Sequence, residues 1–358
     1  MSHINPSLPF MPVANQFRAV EPLSTESLSD TPELAAPACI VCGGFLQRCV
    51  SRLFDTRFGI EGSYETDRCG QCGLEQLSPA PTPARLKELY ERNYNFGGEH
   101  DTLYTKLRQW YFSSPLHRLW ARLDGDISFY TCKGSGRLLD IGCNEGRGLK
   151  IYASNGYEVE GLELNEKAAS VARGEGFAVH TESLERLTPA KAFDVAVLSN
   201  VLEHSLDPAQ MLRNVRRILK PGGEVWISCP NSRSWLRSCF GRYWINWHVP
   251  FHIVHFSSST LERMLSHAGF SKIRTREITP SLWVASSMIT RLFAREGKPT
   301  RQLRNPFLVF GLMLLARLLL FPVLILGNLW GRGDCLLAIA ATEKAIAIDS
   351  PLRAPAGL

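Results

Sequence analysis

The chain lacks several features that would place it quickly. Ten cysteines in 358 residues are too few for a disulfide-stapled scaffold. Four of them stand in two C-x-x-C pairs, a usage that favours a reducing, cytoplasmic setting. The N-terminus has no basic segment backed by an apolar run, so no signal peptide is expected. Neither sign of charge dominates: 40 Lys and Arg against 34 Asp and Glu leave +6, which permits attraction to anionic lipid or nucleic acid without demanding it. The length suggests about two domains.

The stretch Leu138-Leu139-Asp140-Ile141-Gly142-Cys143-Asn144-Glu145-Gly146-Arg147-Gly148 organises the rest. It is an apolar run ending in an acid, then a glycine-rich turn opening a helix. Glycines at such a turn let the backbone approach a ligand closely. The spacing Gly142-x-x-x-Gly146-x-Gly148 differs from the G-x-G-x-x-G of dinucleotide enzymes. A second strand over 157–162 ends in Glu163, about 20 residues on, where an acid can bond a ribose diol. From residue 136 strands and helices alternate. Strands are expected over 137–141, 158–163, 178–180, 193–198, 223–228 and 272–278, with helices over 149–155, 165–174 (Asn165 as N-cap) and 260–268. A last strand over 335–340 follows a long insertion. The fold class is α/β, a Rossmann-like doubly wound sheet of seven strands.

Residues 1–36 are proline-rich without periodicity and read as a disordered tail. Residues 37–78 hold Cys39-x-x-Cys42 and Cys69-x-x-Cys72. Two such knuckles some two dozen residues apart can gather four thiolates around one tetrahedral zinc. A zinc ribbon can read nucleic acid, bind a partner or staple a small fold. The segment between the knuckles is thinly basic, which argues against nucleic acid and for a structural Zn2+. The linker 79–83 precedes a helix over 84–92 that Thr82 caps. Aromatic amphipathic segments over 90–94 and 103–123 fit helices packed on the main domain, or a lid over its pocket.

The pair of strands ending in Asp140 and Glu163 resembles the nucleoside-binding core of class I S-adenosylmethionine (SAM)-dependent methyltransferases. The likeness runs over 136–278 and 334–343 and is closest to quinone and polysaccharide-cluster methyltransferases, some of which carry an N-terminal ribbon. The resemblance implies SAM as the methyl donor, with Asp140, Gly142, Cys143, Asn144 and Gly146 at its methionine part. It places Glu163 on the ribose hydroxyls and Leu164 against adenine, with Glu182, Ser183 and Leu184 flanking the ring. Residues 199–204, including Asn200 and His204, match the motif at the mouth where methyl meets acceptor. Cys143 and Asn144 depart from the commoner glycine-rich pattern, so their side chains must turn away or reshape the pocket.

Catalysis of methyl transfer needs in-line positioning and a base for the acceptor. His204 is one candidate base; the competing reading is a structural histidine before Asp207-Pro208. The run Trp244-Ile245-Asn246-Trp247-His248-Val249-Pro250-Phe251-His252-Ile253-Val254-His255 supplies the others, His252 and then His255 and His248. Pro250 breaks the helix that metal ligation at i, i+4 would need, so a metal there is not expected. Ser228-Cys229-Pro230 lacks the pattern of RNA cytosine methyltransferases, and Asn200 is not followed by prolines as in adenine N6 enzymes.

The insertion, 279–333, contains one charge, Arg317, in an apolar run over 306–330. Its length would span a bilayer. A chain that must return to the same sheet, however, cannot cross once. Arg317 and a hinge at Pro322 fit two short helices on or in one leaflet. Arg291, Arg295, Lys298, Arg301 and Arg304 form a basic flank for anionic head groups. The alternatives are a buried hairpin or a homodimer interface. The expected activity is O-methylation of a sugar, polysaccharide or lipid-linked small molecule, with peripheral membrane contact through 283–330 at the inner face of the membrane. A C-methyltransferase of a nucleotide-linked sugar, an RNA methyltransferase and a non-catalytic SAM-binding module are the rivals.

Overall fold

A computed structural model of the protein describes residues 38–94, 110, 114–187 and 192–343. The expected tails (1–36 and 344–358) and most of the aromatic stretch over 95–113 lie outside the described residues. The centre is a seven-stranded sheet built from Arg137–Ile141 (β4), Glu158–Leu162 (β5), Ala178–His180 (β6), Phe193–Ser199 (β7), Leu219–Pro230 (β8), Ser271–Ile278 (β10) and Cys335–Ala341 (β11). The order is β10-β11-β8-β7-β4-β5-β6. Strands β6, β5, β4, β7 and β8 run parallel. Strand β11 slots between β8 and β10, antiparallel to both. The chain leaves β4 toward β5 and β6 on one side, then crosses back to β7 on the other. The carboxyl ends of β4 and β7 are therefore the topological switch point, where such sheets bind ligands. Asp140 lies there, paired in register with Gly161 and Val197.

Local chemistry sets the element boundaries. Asn165 Oδ1 accepts the Ala168 amide and starts helix Glu166–Gly174, as expected. Thr82 caps helix Pro83–Asn93 (α1), with proline in its first turn. Ser257 and Thr260 form a reciprocal capping box that opens Ser258–His267 two residues earlier than periodicity alone suggests. Helix Pro115–Asp124 (α2) ends at Gly125.

The cysteine-bearing segment is a second sheet: Leu46–Leu53 (β1), Tyr64–Cys69 (β2) and Glu75–Ser78 (β3), joined by Val254–His255 (β9) from the histidine-rich loop. Glu75 pairs with His255 and Gln76 with Val254. The ribbon is thus welded to the main domain: Cys39, Leu46, Cys69 and Leu74 share one apolar core with Leu198, Ile227 and Phe256.

The insertion starts and ends at one cross-strand pair, Ile278 opposite Cys335. It holds Ser281–Phe293 (α8), a helix the sequence reading did not anticipate, then Pro306–Leu319 (α9) and Phe321–Leu329 (α10). No single helix among the described residues is long and apolar enough to cross a membrane; α9 and α10 meet at a 72° bend. The break falls at Leu320, with Pro322 in the first turn of α10. Arg317 does not face outward: its guanidinium reaches buried Asp124 of α2 at 3.7 Å and covers the Phe321 ring. Asp124 also accepts the Ser281 amide and hydroxyl. The one charge of the run is turned inward, and the outer face is left wholly apolar.

At the start of β11, buried Asp334 accepts hydrogen bonds from Ser234 Oγ (2.5 Å), Trp244 Nε1 (2.8 Å) and Asn246 Nδ2 (3.1 Å). Burial raises its carboxyl to about 6, with Ser234 and Trp244 holding it from going higher. Asp334→Ala orphans three buried donors and should cost about 3 kcal/mol by urea denaturation, whereas Asp334→Asn, which keeps an acceptor, should cost about 1 kcal/mol.

Candidate functional site

The donor turn is shaped by steric necessity. Gly142 has φ +73°, and a Cβ there would lie 2.9 Å from Val201 Cγ2. Asn144 holds φ +54°, a left-handed conformation that glycine would adopt more freely. The Cys143 side chain turns inward to pack with Leu149, Ala169 and Ala172, and a Cβ on Gly161 would sit 2.4 Å from its sulfur. Both departures from the glycine-rich pattern are accommodated this way, one by burial and one by backbone conformation. Gly146 answers to packing, since its Cβ would meet Ala172 Cβ at 2.7 Å.

Glu163 is held from both sides. Its Oε2 accepts the Asn144 amide (3.1 Å) and Oε1 the Asn165 amide (2.8 Å), which couples the end of β5 to the donor turn and leaves lone pairs for a diol. Burial raises both Glu163 and Asp140, the latter to about 7 with the Glu163 charge adding to the effect. Leu164 is 68% exposed, free to lie under a flat ring. Of the next segment, Glu182 is open and Ser183 half-open, while Leu184 is sealed in the core. Asn200 has φ +55° and donates its amide to Ser228 O.

Beyond this turn lies the corner that holds His204, where the resemblance places the acceptor. Residues Leu202–His204 form a single 3-10 turn after β7, and Val201 rests on Gly142, so the two motifs touch. His204 Nδ1 lies 3.0 Å from the Phe251 carbonyl and 2.8 Å from Tyr90 Oη. A carbonyl only accepts, so Nδ1 carries the proton and Nε2 the lone pair. His252 Nδ1 likewise donates to Asn246 O at 2.8 Å. Burial, with help from the Arg57 guanidinium, lowers His204 to about 4 and keeps the imidazole neutral. Burial, with the neighbouring imidazoles and the Arg57 guanidinium, also lowers His248 and His252 well below the usual imidazole range.

The four histidines differ in access. His204 is half-open, whereas His248, His252 and His255 are 3%, 5% and 1% exposed. His255 lies on β9 against Trp247, with both ring nitrogens unpartnered. Its position suits packing of the ribbon sheet, whereas that of His204 suits contact with an acceptor. The aromatic segment over 90–94, expected as a packed helix or a lid, lies on this corner: Tyr90 of the first helix bonds His204, and Tyr94 at its C-cap bonds His248 (Oη to Nε2, 2.7 Å). Phe58 packs tilted against Tyr94, and Phe251 packs edge-on against Tyr90. Sequence reasoning missed Glu203, which is buried with neither carboxylate oxygen accepting a hydrogen bond and with Oε1 3.9 Å from His252 Nε2; desolvation raises it to about 8. Glu203, His204 and His252 each present a ligand atom within 4.8 Å of the others. The expectation of no metal considered only the loop histidines and overlooked this acid from another segment.

The four knuckle cysteines also converge. Cys39 and Cys72 sulfurs lie 3.6 Å apart, and those of Cys42 and Cys69 lie 3.4 Å apart. Four thiolates about 2.3 Å from a tetrahedral zinc would be about 3.8 Å apart, so the set fits that ion with small adjustment. The Cys72 amide points at Cys69 Sγ.

Sheet order, switch point and donor turn together define a class I SAM-dependent methyltransferase. The comparisons agree. Residues 104–275 match the model of a methyltransferase domain family. The ubiquinone biosynthesis O-methyltransferase of Sodalis glossinidius is 34% identical over 152 residues, covering 38% of this chain and 59% of that protein. The enzyme of that name from Thiobacillus denitrificans is 31% identical over 172 residues, covering 44% and 73%. A phosphoethanolamine N-methyltransferase structure from Haemonchus contortus superposes at TM-score 0.46 with 19% identity, over 74% of this chain and 61% of that one. The chain belongs to the class I SAM-dependent methyltransferases.

Glu163→Gln removes the charge that a ribose diol would meet; S-adenosylhomocysteine affinity by calorimetry should fall about 10- to 100-fold. Wild-type protein should carry one zinc by elemental analysis, and Cys69→Ser should lose it without losing the donor turn.

Proposed function

We propose that the chain transfers a methyl group from SAM to a hydroxyl oxygen of a lipid-linked or sugar-bearing small molecule, with His204 as the base. The observation that carries this reading is His204 itself. It is neutral, partly open, locked in one tautomer by Phe251 O and set on the motif that touches the donor turn. SAM supplies an activated methyl on a sulfonium, so the protein has only to align the acceptor and take its proton. The acceptor O–H proton passes to His204 Nε2 as oxygen bonds the methyl carbon and the sulfur–carbon bond breaks. Tyr90, Tyr94, Phe58 and Phe251 wall the corner and exclude water. The O-methyltransferase names of the relatives favour oxygen over carbon. The orphaned Glu203 favours a second reading, a divalent cation on Glu203, His204 and His252 that would hold the acceptor's oxygens.

The choice of a lipid-linked acceptor rests on the hairpin. Phe307, Leu318, Leu319, Leu329 and Trp330 of α9 and α10 are exposed, more apolar surface than a soluble monomer ordinarily shows. The exposed Arg291, Arg295, Lys298, Arg301 and Arg304 precede it. That complementarity favours an anionic bilayer, on the cytoplasmic face, over a second copy of the chain. The ribbon's part is structural, through a zinc held by Cys39, Cys42, Cys69 and Cys72.

Purified protein, labelled SAM and a cell extract split into organic, aqueous and macromolecular fractions test the reading. Label should enter the organic fraction. His204→Ala should lower transfer about 100-fold with S-adenosylhomocysteine affinity kept; loss of both would leave His204 without a catalytic part. Label confined to the aqueous fraction would turn the hairpin into an oligomer interface, and none in any fraction would favour a non-catalytic module.

A further inference from the structure

A cavity of about 390 Å³ lies between the ribbon and the foot of the apolar hairpin, and contains none of the donor or acceptor residues described above. Five arginines line it: Arg68 of the ribbon, Arg233 and Arg237 after β8, Arg263 of Ser258–His267 and Arg332 just past α10. Its lining includes one acid, Glu75. Glu75 is already taken by Arg68 at 2.5 Å and Arg237 at 2.8 Å. Among the described residues no carboxylate lies within ion-pair distance of Arg233, Arg263 or Arg332. The side chains of Arg233 and Arg332 make no hydrogen bond either.

Arg233, Arg263 and Arg332, from three segments, add three cations to the Arg68–Glu75–Arg237 cluster, and cations gathered in this way repel one another and favour an anion between them. The framework is rigid all the same. Arg237 stacks on Trp247 with its guanidinium 4.5 Å from the ring and donates to Ser232 O. Asn231 Oδ1 accepts the Arg233 amide, and Asn231 Nδ2 donates to Gly333 O and Glu277. Ser234 is held by Asp334. Ser238 and Ser259 add open hydroxyls. Forked guanidiniums with hydroxyls between them suit phosphate oxygens.

We propose that this cavity binds the phosphate or diphosphate group of an ester. The cavity is built between ribbon and hairpin: Glu75 on its wall is the strand partner of His255, and Arg332 follows the hairpin by three residues. A lipid-linked diphosphate and a sugar nucleotide share this chemistry, and the two sources are separable by experiment.

The test is calorimetric titration of the full zinc-loaded chain with inorganic diphosphate, farnesyl diphosphate and UDP-glucose at 150 mM salt. No methyl donor is present, so the result stands apart from the methyl-transfer reading. Inorganic diphosphate should bind, and Arg233→Ala with Arg332→Ala should weaken it at least about tenfold. Arg276→Ala, an exposed arginine outside the cavity, should leave it unchanged. Because the side chains of Arg233 and Arg332 are exposed and make no hydrogen bond among the described residues, the double variant should melt as wild type does. Ser238→Asp, which keeps every arginine, should also weaken binding. Farnesyl diphosphate binding tighter than UDP-glucose identifies a lipid source, and the reverse order a nucleotide one. Absence of binding by inorganic diphosphate, or equal affinity in the double variant, overturns the proposal.

Discussion

The buried carboxylate of Asp334 is the constraint on which the functional face depends. It sits where the last strand begins, and its oxygens hold Ser234, Trp244 and Asn246. Ser234 belongs to the arginine-bearing loop after β8, while Trp244 and Asn246 open the histidine loop. Asn246 in turn accepts from His252 through its carbonyl. A single acid thus fixes the loop that presents cations and the loop that presents imidazoles. A charge buried this deeply is stabilising only when every oxygen is satisfied, and here three donors meet it. The outcome is rigid loops of irregular backbone, which catalytic geometry requires and loops rarely supply unaided.

The ribbon adds a second fastening. Its sheet is completed by Val254–His255, so the same histidine loop is pinned at one end by Asp334 and at the other by backbone pairing to β3. A zinc stapling Cys39, Cys42, Cys69 and Cys72 would act on that loop through two strands. This gives the ribbon a purpose without nucleic acid. The electrostatics agree: the charge of half-buried Arg57 acts on His204, His248 and His252 and joins desolvation in keeping them neutral. The His204 imidazole is therefore neutral, with a free lone pair, near neutral pH.

Much of the methyltransferase core was legible because its signals are local. Alternating apolar strands, Asn165 as a cap and Thr82 before Pro83 each act within a few residues. The donor turn was legible for the same reason, even to the need for Cys143 and Asn144 to yield. What escaped was contact between distant segments. Nothing around Val254 announces that it will pair with Gln76, because a two-residue strand has no periodicity. Glu203 looked like an ordinary loop acid until the fold set it beside His252. Helix Ser281–Phe293, with Arg291 as its one basic residue, precedes the long apolar run that drew the reading of the insertion. The arginines of the cavity stand up to about 260 positions apart, and only tertiary structure sums their charge.

The position of Arg317 ties these observations into one argument about sidedness. A charge in the middle of an apolar helix can be read as a defect, or as the polar face of an interfacial helix. The fold does neither: it draws the guanidinium inward to Asp124 at 3.7 Å. Burying such a pair brings little net stability, since desolvation offsets much of the attraction. Its effect is geometric. It anchors α9 to helix Pro115–Asp124 and frees the opposite face of all charge. The remaining cations are then sorted, some along the approach to the hairpin and others around the cavity at its foot. An apolar outer face with cations at its base is the arrangement that an amphiphile with an anionic head would match.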